Sequence, residues 1–210
     1  IVSGSNKPGE GEHKMFQHIR KNKNIIHGNA LVYGLDSDLI MLALFHCQYF
    51  HKIYIFRETP EFGKQYIEQS DNGSYLYIDI INFSTAILTE MNCEVYDHHR
   101  LYDYIFMCFF LGNDFLRHFP SLNIRTNGID VLLDLYRSQL GKHKQRTFIS
   151  PTLDINWKWV NSFVNELAKN ERNRLINEYD IKDKFSKRTW GVNNEKDRDF
   201  LIQSVPVIYK

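Results

Sequence analysis

Residues 29–46 read Asn-Ala-Leu-Val-Tyr-Gly-Leu-Asp-Ser-Asp-Leu-Ile-Met-Leu-Ala-Leu-Phe-His, and this stretch decides the fold. The run Ala30–Tyr33 is unbroken and apolar, which is typical of a short strand buried on both faces. Residues 36–46 are apolar nearly all round and predict a buried helix. A buried strand followed by such a helix indicates an α/β domain with a mostly parallel sheet, in which we expect Ala30–Tyr33 to be the central strand.

The same alternation continues along the chain and predicts a sheet flanked by helices. Strands are predicted at 52–56 and 75–80, and helices at 11–21, 83–91, 128–140 and 155–171. Ile1–Val2 is predicted to end a further strand, and Asp103 to cap a helix that runs through Phe115. Residues 60–73 are expected to form a loop. The charged stretch 170–198 is expected to be a solvated helix or a mobile segment.

Composition excludes few classes of function. The formal net charge of the 210 residues is only +1, so no global basic field indicates nucleic acid. Cys47, Cys93 and Cys108 are far apart, which argues against a zinc ribbon and against a secreted disulfide scaffold. We therefore expect an intracellular protein, cytoplasmic or nuclear. The longest apolar run, at 104–112, is far too short to span a bilayer, so no membrane partner is expected.

Three acidic clusters stand beside glycine at predicted element boundaries. They are Glu10 with Glu12, Asp36 with Asp38, and Asp114. Residues i and i+2 share a face in extended backbone but not in a helix, so each pair converges only at a strand end or in the turn after it. Ligands of α/β sheets bind at the carboxyl ends of the strands. We therefore expect the five carboxylates to converge on one cleft.

Clustered carboxylates repel one another unless cations neutralise them. Hard oxygen ligands favour Mg²⁺ or Mn²⁺ over zinc. Two such ions about 4 Å apart form a clamp for in-line phosphoryl displacement. Any single acidic pair is more often a solvated turn or a helix N-cap. On the residues alone, both interpretations stay open.

Longer strings around these acids resemble the signatures of the Xrn family of 5′→3′ exoribonucleases. They read Pro-Gly-Glu-Gly-Glu-His-Lys at 8–14, Tyr-Gly-Leu-Asp-Ser-Asp-Leu-Ile at 33–40, Phe-Phe-Leu-Gly-Asn-Asp-Phe-Leu at 109–116, and Pro-Ser-Leu-Asn-Ile-Arg at 120–125. The segment 155–171 is similar to a helix that follows in the family. The resemblance covers roughly residues 1–171. Arg117 departs from it, because the family usually has proline there.

The resemblance implies a PIN-like or flap-nuclease-like fold, with a partial nuclease domain over residues 1–140 and a helical extension over 141–210. It implies that the five carboxylates bind two Mg²⁺ or Mn²⁺ ions together with further acids upstream of Ile1. The implied reaction is hydrolysis of single-stranded RNA from a 5′-monophosphate end, with release of mononucleotides. In the family, the pocket for that phosphate also lies upstream. We therefore expect this chain to be a piece of a longer domain and nearly inactive alone.

Two alternative functions remain compatible with the sequence. A flap-type, structure-specific DNA endonuclease shares the metal chemistry. Such enzymes have a Gly-rich helix-hairpin-helix soon after the last metal aspartate, however, and no Gly-x-Gly follows Asp114 before Gly128. A non-catalytic RNA-binding remnant is the second alternative. It predicts broken carboxylates, and all five are intact.

Several other residues invite a functional interpretation. His13 and Lys14 adjoin the first acidic pair and are candidates for contact with a substrate phosphate, although a role on the helix surface is equally compatible. Arg125 is a candidate for contact with the RNA backbone, and a surface salt bridge is the alternative. His98 and His99 point in different directions as neighbours and are not expected to form a metal site.

Two tryptophans lie on the last predicted helix. Trp157 and Trp159 are two residues apart, so they cannot share a face of that helix. We expect one of them to belong to the core. The other is a candidate to pack on a neighbouring domain or to stack on a base.

Overall fold

The computed structural model describes residues 3–4, 6–24, 28–58, 75–93 and 97–189, with side chains as far as residue 184. The predicted strand end at Ile1–Val2 and the predicted loop at 60–73 lie outside the described residues, as does the end of the charged stretch after residue 189. The chain divides into two compact units, Ile1–Ile105 and Phe106–Lys210. The predicted partition into 1–140 and 141–210 concerns domains of the family and stays a prediction.

The described sheet lies in the first unit and has three strands. They are β1 (Asn29–Tyr33), β2 (Lys52–Glu58) and β3 (Tyr75–Asp79), in the order β1-β2-β3. β1 pairs with β2 in parallel, and β2 pairs with β3 antiparallel. Strands and helices share the unit, which confirms the α/β class. The prediction of a mostly parallel sheet is wrong for these three strands, because the described pairings include one of each kind.

The prediction that Ala30–Tyr33 is the central strand is also wrong for the described sheet, where β2 is central and β1 lies at an edge. Side chains alternate between the two faces of a strand. In β1, Val32 is 4% exposed, whereas Leu31 and Tyr33 are 61% and 60% exposed. An apolar run therefore did not mean burial on both faces. The exposed face continues as an aromatic row in which the Phe56 ring lies 5.5 Å from Tyr33 and 4.9 Å from Tyr77.

Helices of the first unit supply most of the apolar side chains of its core, and β1 and β2 supply others. The helices are α1 (Gly11–Lys21), α2 (Asp38–His46), α3 (Ile80–Glu90) and α4 (His98–Cys108), the last of which crosses the division between the units. The predicted bounds of α1 are confirmed. α3 begins three residues before the predicted start, because Asp79 caps it by accepting a hydrogen bond from the Asn82 backbone N–H at 3.0 Å.

Asp103 does not cap a helix, and this prediction is wrong. It lies in the middle of α4 and is fully buried, with the guanidinium of Arg100 at 3.8 Å. Asp97 holds the start of α4 instead, since its Oδ1 accepts from the His99 N–H at 2.9 Å. Nor does the helix run through Phe115. It ends at Cys108, and a single 3₁₀ turn over Phe109–Leu111 follows.

A buried histidine joins α1 to α2. The Nδ1 of His46 lies 2.6 Å from the Leu42 carbonyl oxygen, and its Nε2 lies 2.9 Å from Nη1 of Arg20. Its ring packs 4.6 Å from that of Phe16. Burial lowers the pKa of His46, and the nearby Arg20 charge lowers it further, against the opposing effect of the Leu42 carbonyl. The imidazole is therefore neutral, with Nδ1–H donating to Leu42 and Nε2 accepting from Arg20.

The second unit is helical. α5 (Gly128–Tyr136) continues into a π-helical turn over Arg137–Gly141, and α6 (Trp157–Ala168) and α7 (Glu171–Thr189) follow. α5 and α6 are shorter than predicted. Their core is aromatic, with the ring of Phe148 at 5.6 Å from Tyr136 and 5.0 Å from Phe163. No helix in the described ranges combines the length and apolar character that crossing a membrane requires.

We predict that acid destabilises the protein through His46. The unfolded imidazole takes up a proton near its ordinary pKa of about 6.5, whereas folding lowers the pKa and resists protonation. The stabilisation is therefore complete above pH 6.5 and is lost progressively as the pH falls below it. Urea unfolding between pH 7.5 and 5 should show this loss. His46→Gln should flatten that slope, and replacing the exposed His51 with Gln should leave it as in the unaltered chain. Equal slopes in all three proteins would contradict this role of His46.

Candidate metal centre

The turn from β1 into α2 positions the second acidic pair. The Gly34 N–H continues the ladder by donating to the Phe56 carbonyl at 3.2 Å. A Cβ at Gly34 would lie 2.2 Å from Cδ1 of Leu39, so the leucine side chain can pack in this position against the strand end only because residue 34 is glycine. Asp36 follows in the turn with its side chain exposed, and Asp38 is the first residue of α2. The predicted helix start at 36 is therefore two residues early.

Asp36 and Asp38 are linked through the backbone. Oδ1 of Asp36 accepts from the Asp38 N–H at 3.2 Å, which folds the turn and brings the two residues together. This is the turn after a strand that the spacing of the pair predicts. The first turn of a helix also favours negative charge, because its unpaired N–H groups carry partial positive charge.

The first acidic pair stands at the start of α1. Glu10 has extended backbone, with φ −73° and ψ 153°, and Glu12 lies in the first helical turn. Oε2 of Glu10 is 3.5 Å from Nε2 of His13, and both side chains are about half-exposed. The two acidic pairs thus share one local setting, the N-terminal end of a helix.

Asp114 lies in a loop whose backbone is well held. Oδ1 of Asn113 accepts from the N–H groups of Phe115 at 2.9 Å and Leu116 at 2.7 Å. The Asn113 N–H in turn donates to the Leu116 carbonyl at 2.8 Å. Gly112 precedes the loop with φ +82°, and a Cβ there would lie 2.7 Å from the His118 backbone nitrogen. Asp114 is exposed in this loop.

The structure places the predicted ligands in both units. Four of the acids belong to the first unit and Asp114 to the second. Among the described residues, no three or more His, Cys, Asp or Glu side chains are arranged to hold a metal ion. The donor set itself suits Mg²⁺ or Mn²⁺, because it consists of carboxylates that are exposed or half-buried. Convergence of all five on one cleft stays a prediction.

The side chains of two of the predicted substrate contacts, His13 and Lys14, have local partners. Nζ of Lys14 donates to the Lys7 carbonyl at 2.5 Å and ties the preceding loop to α1, while His13 reaches Glu10. Arg125 is exposed, and its N–H donates to Oδ1 of Asn123 at 2.9 Å. Their contact with substrate stays a prediction.

Glu178 is a residue that sequence reasoning missed. It lies in the charged stretch that predicts a solvated helix, yet it is only 4% exposed. Its carboxylate accepts from Nδ2 of Asn123 at 3.3 Å and from the Thr126 hydroxyl. It therefore anchors the segment that carries Arg125 to α7. No periodic signal marks this acid in the sequence.

The histidine pair at the start of α4 diverges as expected. Nδ1 of His98 lies 3.7 Å from Sγ of the buried Cys47, and Nδ1 of His99 lies 2.8 Å from Oδ1 of Asp97. Burial lowers the pKa of His98. The two rings thus serve separate contacts in the first unit.

Two domain models of known protein families match this chain. A family model described as "XRN 5'-3' exonuclease N-terminus" matches residues 1–59, and one described as "Xrn1 helical domain" matches residues 95–208. The second match alone covers more than half of the chain. The chain belongs to the Xrn family. The strings at 8–14 and 33–40 fall within the first match, and those at 109–116 and 120–125 within the second.

Curated relatives named "5'-3' exoribonuclease 2" are similar along most of the chain. The protein from Eremothecium gossypii is 29% identical over 99% of this chain and 26% of its own length. The one from Saccharomyces cerevisiae is 31% identical over 95% of this chain and 23% of its own. The one from Aspergillus fumigatus is 34% identical over 67% and 17%. The chain thus spans about a quarter or less of the length of these relatives.

We predict that Gly112→Ala destabilises the second unit while Gly11→Ala does not. The first change forces a left-handed φ on alanine and drives its Cβ into backbone, which should cost about 1–3 kcal/mol. Nothing lies within 4 Å of a Cβ at Gly11 at the start of α1, so that change should stay within about 0.5 kcal/mol. Free energies of unfolding in urea compare the two variants. Equal effects would show that the Asp114 loop does not depend on the Gly112 conformation.

Proposed function

We propose that this chain contributes metal-binding residues to a 5′→3′ exoribonuclease that hydrolyses RNA phosphodiesters. The observation that carries the proposal is membership of the Xrn family, together with intact carboxylates at every position where the family strings place them here. The name of the curated relatives supports the same activity. A PIN-like nuclease fold, of which β1–β3 would be a part, belongs to this proposal.

Five carboxylates would hold the ions. They are Glu10, Glu12, Asp36, Asp38 and Asp114. Two bound Mg²⁺ or Mn²⁺ ions supply activation of the attacking water and neutralisation of charge on the leaving oxygen. The protein contributes position: the Asp36–Asp38 turn is fixed by the packing of Gly34 on α2, and the Asp114 loop is fixed by the Asn113 side chain.

The substrate of the proposed enzyme is single-stranded RNA with a 5′-monophosphate, from which mononucleotides are released. His13, Lys14 and Arg125 are the proposed contacts with its phosphates. His13 is half-exposed and Arg125 is exposed, so both are accessible to a polyanion. An intracellular location, cytoplasmic or nuclear, is part of the proposal.

Asp38→Asn tests the metal mechanism. The change keeps the side-chain shape and removes only its charge, so it should abolish Mg²⁺-dependent hydrolysis without unfolding the protein. Asp130→Asn, on the exposed first turn of α5, removes the same charge outside the proposed centre and should leave activity unchanged. Activity is measured on the longest open reading frame that contains these residues, and on the 210-residue chain, which we expect to be nearly inactive.

The readout is release of mononucleotides from 5′-phosphorylated, 5′-hydroxyl and 5′-triphosphorylated RNA, with and without EDTA. We expect hydrolysis of the 5′-phosphorylated RNA alone, and complete loss in EDTA. Equal hydrolysis of all three ends, or activity that survives EDTA, would overturn the assignment. Preference for flapped DNA would support the endonuclease alternative. RNA binding without hydrolysis would support the non-catalytic one.

A further inference from the structure

Positive charge is concentrated at one place in the second unit. Between residues 142 and 159 the chain carries four cations, Lys142, Lys144, Arg146 and Lys158, and one carboxylate, Asp154. The whole chain, by contrast, has 26 basic and 25 acidic residues. The concentration is therefore local and does not follow from a generally basic protein.

The exposed Lys142 and Lys144 precede Arg146 in two consecutive turns that follow α5 and its π-helical turn. The His143 N–H donates to the Leu140 carbonyl at 2.8 Å, and the Arg146 N–H donates to the His143 carbonyl at 3.0 Å. The Arg146 guanidinium lies 4.9 Å from the ring centre of Trp159, and Nζ of Lys158 lies at the same distance from that ring. The indole of Trp159 thus makes cation–π contacts with two cationic side chains.

The three lysines of this group lack acidic partners among the described residues. Lys158 lies in the first turn of α6, which contains no acidic residue, and a cation there faces the positive end of the helix. In the described part of the chain, Lys142, Lys144 and Lys158 form no ion pair within 4 Å. Oδ2 of Asp154 accepts from the Thr152 hydroxyl at 2.6 Å. An anion bound beside Lys158 would offset its unfavourable charge at the helix start.

An exposed aromatic side chain, that of Trp157, directly precedes Lys158 in the chain. Trp157, the first residue of α6, is 60% exposed, whereas Trp159 is half-buried beneath Arg146 and Lys158. Neither indole belongs to the buried core, so the expectation of one core tryptophan in this pair is wrong. A single-stranded nucleic acid needs an aromatic surface for a base and cations for its phosphates, and an exposed indole and exposed lysines of this short stretch offer both.

We propose that Lys142, Lys144, Arg146, Trp157 and Lys158 form a binding surface for single-stranded RNA, here called the α6 basic surface. The cations contact successive phosphates, and Trp157 stacks on a base. The choice of RNA rests on the proposed function. The surface lies entirely within the second unit and contains none of the proposed metal ligands, so it can be tested separately from hydrolysis.

Removal of the lysines tests the electrostatic part. Binding of a 3′-labelled oligouridylate to the 210-residue chain is measured by fluorescence anisotropy in EDTA at several salt concentrations. Each phosphate contact in a single strand contributes about 0.7 to the slope of log K against log salt. The triple variant Lys142→Gln/Lys144→Gln/Lys158→Gln should therefore lower that slope by about 2 and weaken binding at low salt by on the order of tenfold or more.

A charge-matched variant controls for non-specific attraction. Lys169→Gln/Arg172→Gln/Lys184→Gln removes three exposed cations from the same unit, at the end of α6 and along α7. We expect it to keep the slope of the unaltered chain within about one contact. Equal slopes for the two triple variants, or no measurable binding by the unaltered chain at low salt, would overturn the α6 basic surface.

Trp157→Ala tests stacking, which salt does not screen. Binding should weaken by roughly fivefold or more at every salt concentration, with the slope unchanged. Polyglutamate serves as a competitor without bases, and competition equal to that of unlabelled RNA would indicate an acidic protein partner and overturn the RNA assignment. EDTA removes metal from every sample, so this experiment measures RNA binding without hydrolysis. A protein that binds RNA through this surface but hydrolyses none would therefore refute only the proposed function.

Discussion

The packing of Leu39 against Gly34 is the constraint on which the first unit depends. The chain must leave β1 and enter α2 within four residues, and the leucine side chain occupies the space that any Cβ at residue 34 would need. Because of this contact, α2 begins close to the strand end. Asp36 is then left in the turn with its carboxylate available to the Asp38 N–H. The position of the acidic pair thus depends on a packing contact made by an apolar residue, Leu39.

The starts of α1, α2 and α6 all carry charged side chains, and they differ in how that charge is compensated. At the starts of α1 and α2, carboxylates face partial positive charge, so the acids are locally favourable even without an ion. At the start of α6, lysine faces the same partial positive charge and has no acid to offset it. A local explanation therefore suffices for the acids, and the proposal that they bind metal rests on the family strings. For Lys158 the ring of Trp159 offers only a cation–π contact in place of an acid, and the proposed RNA phosphates would supply the missing negative charge.

Sequence predicted most helices and strands, because periodicity reports which residues face the core. It failed where tertiary contacts decide. The run Ala30–Tyr33 is apolar on both sides, yet only Val32 reaches the core, because β2 occupies the middle of the described sheet. Asp103 has the residue type of a cap, but Asp97 takes that role and Asp103 pairs with Arg100 inside the unit. Glu178 is buried among charged neighbours because of two polar partners more than fifty positions away.

A net charge near zero is compatible with a nucleic-acid enzyme when the two signs are segregated along the chain. Hydrolysis of a phosphodiester by metal ions requires acids, since an ion must be held next to the reacting phosphate. The remaining phosphates of the strand require cations. Here acids stand at the starts of α1 and α2, and lysines stand before and within the start of α6. The sum of these charges conceals both groups, whereas their positions in the helices distinguish them. For this chain, the location of charge is therefore more informative about function than its total.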